Sequence, residues 1–414
     1  MKCRHCNANL VLPLIDLGSA PPSNAFLTEA TLLSPEKWFP LRVLVCTECW
    51  LTQTEDYAAV AELFDAEYAY FSSFSAAWLR HAESYVTEMI ERFRLNTSSN
   101  IIEVAANDGY LLQYVVARGI PCFGIEPTAS TATAARAKGI TIVEKFFGSK
   151  LVQTLVSEKK QADLIAANNV LAHVPDINDF VIGFSQLLKP QGVATFEFPH
   201  LMHLIEQTQF DTIYHEHFSY LSLTSVMSIF DRNGLQVFDV QEISTHGGSL
   251  RVFAQRKDTG KHQITTAVDA LMVRETAAGM KKPQYYADFQ RRANHIKLDL
   301  LAFLINSKCQ GKKVIAYGAA AKGSTLLNYA GVRSDLLPFI VDRNPAKQGK
   351  YMPGSRIPIV AESHILDQRP DYILILPWNL RAEIIEQLAY IREWGGQFWY
   401  VNSNTGDRPS QICE

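Results

Sequence analysis

Strand-then-helix alternation starts twice along this chain, with a helical stretch between the two starts. One parallel sheet cannot absorb both, so the sequence must build two cores in 414 residues. The first series of apolar, strand-length runs comprises Ile101 to Val104, Cys122 to Ile125, Ala162 to Ala166, Val193 to Phe198, Leu235 to Val240 and Leu250 to Ala254. A helical lead-in from about Ala76 to Phe93 precedes it, and a polar stretch, Gln255 to Thr265, closes it. Helical sequence then runs to about Asn306, and alternation resumes with Val314 to Tyr317, Phe339 to Val341, Tyr372 to Leu376 and Phe398 to Val401. The expected class is α/β: two doubly wound, Rossmann-like parallel sheets behind a small N-terminal module, divided at 1–66, 67–258 and 259–414.

The N-terminal block holds four of the seven cysteines, as Cys3-x-x-Cys6 and Cys46-x-x-Cys49. Each pair spans one edge of a tetrahedron, and four thiolates suit Zn²⁺ in a closed, structural shell with no position left for chemistry. Cys122, Cys309 and Cys413 stand alone and read as packing or terminal residues. Met1-Lys2-Cys3-Arg4 lacks the apolar stretch of a signal peptide, so a cytoplasmic address is expected, where thiols bind metal more often than they pair. A net charge of -3 and no basic aromatic stripe argue against a nucleic-acid partner. No apolar run approaches the roughly eighteen residues of a membrane span. The oligomeric state is not legible, and a monomer is consistent with everything in the sequence.

Chemistry enters at the first strand. Glu103-Val104-Ala105-Ala106-Asn107-Asp108-Gly109 runs from a buried strand into a small-residue turn, where backbone N–H groups and the next helix N-terminus can meet a ligand. The second strand ends in Glu126, a carboxylate suited to ribose hydroxyls, and the third leads into Asn168-Asn169. The G-x-G-x-x-G spacing of dinucleotide sites is absent, which counts against NAD. The string resembles the first motif of the Class I S-adenosylmethionine (SAM) methyltransferases. That resemblance implies SAM contacts from Glu103, Ala105, Asn107, Gly109, Glu126, Asn168 and Asn169.

Tyr214-His215-Glu216-His217 packs four proton-exchanging side chains into four residues. Chemistry that needs a base near neutral pH wants an imidazole, and a carboxylate beside it can orient the ring. His-Glu-His lacks the histidine spacing of a zinc protease. His173 lies just past the third strand, at the sheet edge where ligands bind, and His246-Gly247-Gly248-Ser249-Leu250-Arg251 adds a polar turn with an arginine suited to phosphate. Taken together, the cysteine module, the SAM motif, Asn168-Asn169 to His173, the 214–217 string, His246 to Ser249 and a second α/β domain resemble the three-domain SAM-dependent C-methyltransferases of nucleotide-linked deoxysugars. The resemblance covers nearly the whole chain. It implies a nucleotide-activated 4-keto sugar methylated at C3, with His217 as base and Tyr214, Glu216 and His173 lining the sugar site. Tyr68 or Tyr70 would contact the sugar. A carbon acid needs an adjacent carbonyl and a placed base, which a crowded Tyr/His/Glu site suits.

The second sheet opens with Tyr317-Gly318-Ala319-Ala320-Ala321-Lys322-Gly323-Ser324, another strand–turn–helix, which is no Walker A loop because Lys322 precedes Gly323. Its amides with Lys322 and Ser324 suit a pyrophosphate, and Asp342 after the next strand suits a nucleoside ribose. By resemblance, this domain and the His246, Ser249 and Arg251 turn hold the nucleotide sugar. Two other readings are open at this point: a nicotinamide-dependent nucleotide-sugar oxidoreductase or epimerase, and a zinc-ribbon nucleic-acid-binding protein.

Overall fold

The structure, a computed structural model, describes residues 1–57, 71–401 and 412–413. Three sheets order the chain. Strands β1 (Leu12–Ala20), β2 (Phe39–Val45) and β3 (Thr52–Thr54) form an antiparallel sheet in the cysteine module, longer than the short runs expected there.

The large sheet contains β4 (Ile101–Val104), β5 (Cys122–Ile125), β6 (Ile142–Val143), β7 (Ala162–Asn168) and β8 (Leu188–Pro199). After a two-residue strand, β9 (Ser219–Tyr220), it is completed by β10 (Leu235–Ile243) and β11 (Ser249–Arg256). Its order, β10-β11-β8-β7-β4-β5-β6, reverses direction between β4 and β7, the place where doubly wound sheets bind ligands. The expected all-parallel sheet is corrected at one edge: β11 is inserted antiparallel between β8 and β10. The short hairpin turn Ser244 to Gly248 permits this, since parallel neighbours would need a long crossover.

The third sheet comprises β12 (Val314–Tyr317), β13 (Ile340–Val341), β14 (Ile359–Val360), β15 (Tyr372–Ile375), β16 (Gln397–Tyr400) and β17 (Ile412–Cys413). Its order is β14-β13-β12-β15-β16-β17, with only β17 antiparallel.

The lead-in helix Ala76–Phe93 is N-capped by Ser75, whose hydroxyl accepts from the Trp78 amide, and it stops at Arg94 in the left-handed region. Ala82, Tyr85, Val86 and Met89, at three- and four-residue spacing, form its buried face against the large sheet. The helix Thr266–Ala278, placed by sequence in the third block, packs elsewhere. Val268 and Leu271 join the core of the large sheet, and the buried Glu275 carboxylate accepts from the Leu223 and Thr224 amides. Packing passes into the third unit at the helix end, with Ala278 and Met280.

The small module is wedged between its neighbours. Cys3, Leu10, Leu44 and Cys46 share the core of the large sheet, while Leu14, Leu41, Val43 and Val45 share that of the third unit. It is also joined by backbone, because β9 pairs antiparallel with β3 as the fourth strand of its sheet. Among the described residues, no helix is long and apolar enough to cross a membrane.

Candidate active site

The four cysteines of the two knuckles converge with all sulfurs within 4.8 Å of one another. Cys3 Sγ lies 3.5 Å from Cys49 Sγ and Cys6 Sγ 3.5 Å from Cys46 Sγ. A zinc tetrahedron with bonds of about 2.3 Å has edges of about 3.8 Å, so the donor set fits Zn²⁺. The Cys3 thiol is drawn down to about 5 by Cys49 beside it, and Cys49 is pushed up by the same contact, as in a pair sharing one proton.

At the end of β4 the loop keeps a glycine-type path with mostly other residues. Ala105 (φ 61°), Asn107 (φ 49°) and Gly109 (φ 76°) alternate in the left-handed region. Only Gly109 has no substitute: a Cβ there would lie 2.3 Å from Ile140 Cδ1. Glu126 braces the loop from β5, accepting from the Asn107 amide at 2.9 Å and from the Thr128 amide at 2.9 Å. Ser72 and Ser73 close over it, their amides donating to Asn107 Oδ1 (2.9 Å) and Asp108 Oδ2 (3.3 Å). Across the switch point, both amide atoms of Asn168 are buried without a hydrogen-bond partner among the described residues. A left-handed loop braced by a ribose-type acid, with a buried amide beside Tyr110 across the switch point, fits SAM. Glu103, also expected here, is fully buried in its strand, and burial holds its carboxyl well above the usual range.

The 214–217 turn divides its four side chains between two sides. The His217 amide donates to the Tyr214 carbonyl at 2.9 Å, and the two rings stack with centroids 4.0 Å apart. His217 Nδ1 lies 2.8 Å from the Thr212 carbonyl. A carbonyl only accepts, so Nδ1 carries the proton and Nε2 the lone pair. The His173 ring stands edge-on to His217, centroids 4.7 Å apart. Burial, then the charge of His173, holds the His217 pKa well below its ordinary value, so the ring is a neutral base. His173 is likewise held down to about 4 by burial.

His215 and Glu216 face the cysteine module. His215 Nε2 donates to the Phe39 and Pro40 carbonyls, and Glu216 accepts from Ser23 Oγ (3.1 Å) and Asn24 Nδ2 (3.1 Å). Glu216, expected to line the sugar site, therefore reaches the cleft only through Asn24. A cleft of about 400 Å³ lies between the units, bounded by Asn24, Ser72, Trp78, His246, Lys347 and Asn379. Ser72 on its wall donates to the Asn107 loop, and Asn24 on its wall donates to Glu216, on the side of the 214–217 turn away from His217. His246 Nε2 accepts from Asn169 Nδ2 at 3.2 Å, tying the hairpin turn to the end of β7.

From the third unit, Lys322 Nζ donates to Asn379 Oδ1 (2.9 Å) and lies 4.3 Å from the Trp378 ring centre. Trp378 Nε1 donates to Asp211 Oδ2 at 2.6 Å, three residues before Tyr214. Burial pushes Lys322 down to about 8, against the pull of Asp211, whose own carboxyl burial raises to about 6. Asp342 repeats in β13 what Glu126 does in β5, accepting from the loop amide of Ala319 (2.8 Å) and from Asn344 (2.8 Å). Gly318 is needed for contact, because a Cβ there would lie 2.5 Å from Pro377 Cδ. Ser324 is buried beneath this turn, with Asn328 Nδ2 donating to its hydroxyl.

Arg251 and Ser249 do not join the cleft. Arg251 donates through Nε to buried Glu197 (2.6 Å) and through Nη1 to Glu88 (2.8 Å), and Ser249 Oγ donates to the Thr245 carbonyl (2.9 Å). An arginine on an internal strand facing two carboxylates is taken up by them, which the spacing of the turn could not reveal. Tyr68 and Tyr70 lie outside the described residues. Sequence reasoning missed Trp78, Asp211, Trp378 and Lys347. Single residues between motifs carry no local signal, though the lone Trp378 after a strand end could have raised attention.

Three family models tile the chain: a candidate zinc-binding domain over residues 3–64, a methyltransferase domain over 78–240 and a C-methyltransferase C-terminal domain over 244–401. The chain is 32% identical over 397 residues to the C-methyltransferase NovU of Streptomyces niveus, covering 96% of this chain and 94% of that one. The chain belongs to the three-domain C-methyltransferases. Among solved structures, it is similar to magnesium protoporphyrin IX methyltransferase of Synechocystis with bound SAM, at 14% identity over 43% of this chain and 79% of that one (TM-score 0.33). It is also similar to a SAM-dependent methyltransferase of Clostridium acetobutylicum, at 11% identity over 43% of this chain and 92% of that one (TM-score 0.36). Membership in this enzyme family sets aside the nicotinamide and nucleic-acid readings. The chain is a SAM-dependent C-methyltransferase, and SAM held at the Asn107 loop would supply a sulfonium methyl open to attack by a carbon nucleophile of the acceptor.

Proposed function

We propose that the acceptor is a nucleotide-activated 4-keto deoxysugar and that His217 removes its C3 proton. The observation that carries this reading is the state of His217. Its Nδ1–H is tied to Thr212 and burial keeps the ring neutral, which leaves Nε2 as a base before any substrate arrives. O-methylation needs no such device, since a hydroxyl is far more acidic than an isolated C–H bond. As Nε2 takes the C3 proton, the C–H electron pair moves into the C3–C4 bond and negative charge collects on the 4-oxygen. Tyr214 and His173, packed on the base, hold the ring and relay the proton outward. Lys322, bonded to Asn379 of the cleft wall, is the cation suited to the substrate's pyrophosphate, and Asp342 to its ribose. The nucleotide would then span the third unit while the sugar enters the cleft beside His246.

The test is incubation of the protein with methyl-labelled SAM and a panel of dTDP-, CDP- and GDP-linked 4-keto-6-deoxysugars, read by mass and by the position of the label. Label on carbon C3 of one panel member supports the reading. Label on oxygen, or none with any 4-keto sugar, sinks it.

A further inference from the structure

Beside Gly248 of the hairpin turn, three potential ligands meet: His200, His203 and Glu242, with donor atoms within 4.8 Å of one another. His200 and His203 share one face at the start of the helix Leu201–Glu206, and Glu242 reaches them from β10. His200 is completely buried, and its Nε2 lies 2.7 Å from Glu275 Oε1. Glu275 already accepts from the Leu223 amide (2.7 Å), the Thr224 amide (2.8 Å) and the Thr224 hydroxyl (2.6 Å). A carboxylate surrounded by donors is ionised and only accepts, so His200 Nε2 carries a proton. His200 Nδ1 is buried and has no hydrogen-bond partner among the described residues. An orphaned polar atom of this kind costs stability unless something fills it.

A histidine held by a carboxylate through one nitrogen and presenting the other is the usual support of a metal ligand. His203 Nε2 stands 3.7 Å from Glu242 Oε1, too long for a hydrogen bond and close enough for two ligands of one ion. Arg274 donates to both Glu242 oxygens (2.8 and 2.6 Å), which leaves further lone pairs on the carboxylate. We infer that His200, His203 and Glu242 form a second metal site, distinct from the cysteine cluster, for a divalent transition ion of the Zn²⁺ or Co²⁺ class. Two imidazoles and one carboxylate suit such ions over Mg²⁺ or Ca²⁺, and water completes the shell. The ion would clamp the helix to the hairpin, because His203 packs on Gly248 and the His200 amide donates to the Gly248 carbonyl (3.0 Å).

The test is metal stoichiometry in the full-length protein. After equilibration with buffered free Zn²⁺, elemental analysis is expected to find two equivalents per chain, and one in the separate variants His203→Ala and Glu242→Ala. Both residues are partly exposed, so neither variant should lose its fold, and circular dichroism checks this. Addition of Co²⁺ to protein holding one equivalent of zinc should give ligand-field bands without thiolate charge transfer, and His203→Ala should weaken that binding at least tenfold. One equivalent in the wild type, or two in His203→Ala, overturns the inference.

Discussion

Replacing His217 with asparagine separates its two ring nitrogens. An asparagine amide N–H can reach the Thr212 carbonyl that Nδ1 now reaches at 2.8 Å, while nothing replaces Nε2. The fold should lose little. The anchoring hydrogen bond, worth about 1 kcal/mol net, is kept, and the loss is confined to ring contacts with Tyr214 and His173. Removal of a general base costs about 10²- to 10⁴-fold in rate, equivalent to about 3–5 kcal/mol at 1.36 kcal/mol per decade. The expected result is an unfolding midpoint near that of the wild type, unchanged SAM affinity by calorimetry, and kcat down by at least about a hundredfold. Exchange of the substrate's C3 hydrogen with deuterated solvent should vanish in parallel. A pH profile adds a second reading. Because burial and His173 lower the His217 pKa, the base form persists below pH 6.5, and kcat/KM should stay flat through that value and fall only at lower pH. Normal turnover in His217→Asn, or C3 exchange that persists while methylation is lost, would refute the assignment of the base.

The remaining predictions concern the surrounding structure. Lys322 titrates near 8, so if its ammonium grips the pyrophosphate, affinity for the nucleoside diphosphate should fall about tenfold per pH unit above 8. Lys322→Gln should bind weakly with no such slope; a wild-type profile flat from pH 7 to 9.5 would remove Lys322 from that role. Arg251→Met leaves the buried Glu197 carboxylate with His81 as its only ion-pair partner among the described residues and should cost up to about 3–5 kcal/mol in urea titrations, with KM for the nucleotide sugar unaltered in the folded fraction. A selective rise in KM without destabilisation would return Arg251 to substrate binding. Cys46→Ser opens the cysteine cluster and should release its zinc and lower the thermal midpoint, with faster amide exchange in β3 and β9; unchanged stability would show that the ion is not structural.

Much of this architecture is legible in the sequence wherever a periodic pattern or a fixed spacing carries it. The strands Ile101–Val104 and Cys122–Ile125 were expected at the bounds observed, and the cysteine pairs announced their cluster. What escaped depends on partners distant in sequence. β11 reads like any buried strand, and only its insertion between β8 and β10 reverses it. The helix Thr266–Ala278 lies beyond a polar stretch that resembles a boundary, yet Glu275 belongs to the cap of Leu223–Arg232, half a hundred residues earlier. The 214–217 string suggested four active side chains, and a single turn separates Tyr214 and His217 from His215 and Glu216. Arg251 looked free because Glu88 and Glu197 are invisible from its own neighbourhood.

The two-residue strand β9 places the proposed base under remote control. Two residues after His217 the chain enters the cysteine module's own sheet, and Thr54 Oγ1 donates to the His217 carbonyl itself (3.1 Å). A strand of the cysteine module thus sets the register of the segment that would deprotonate the acceptor. A methyltransferase unit excised without its first fifty-odd residues would expose an open strand edge beside its most important ring. The cysteine module is therefore not a detachable appendage: its sheet is completed by the segment that carries His217.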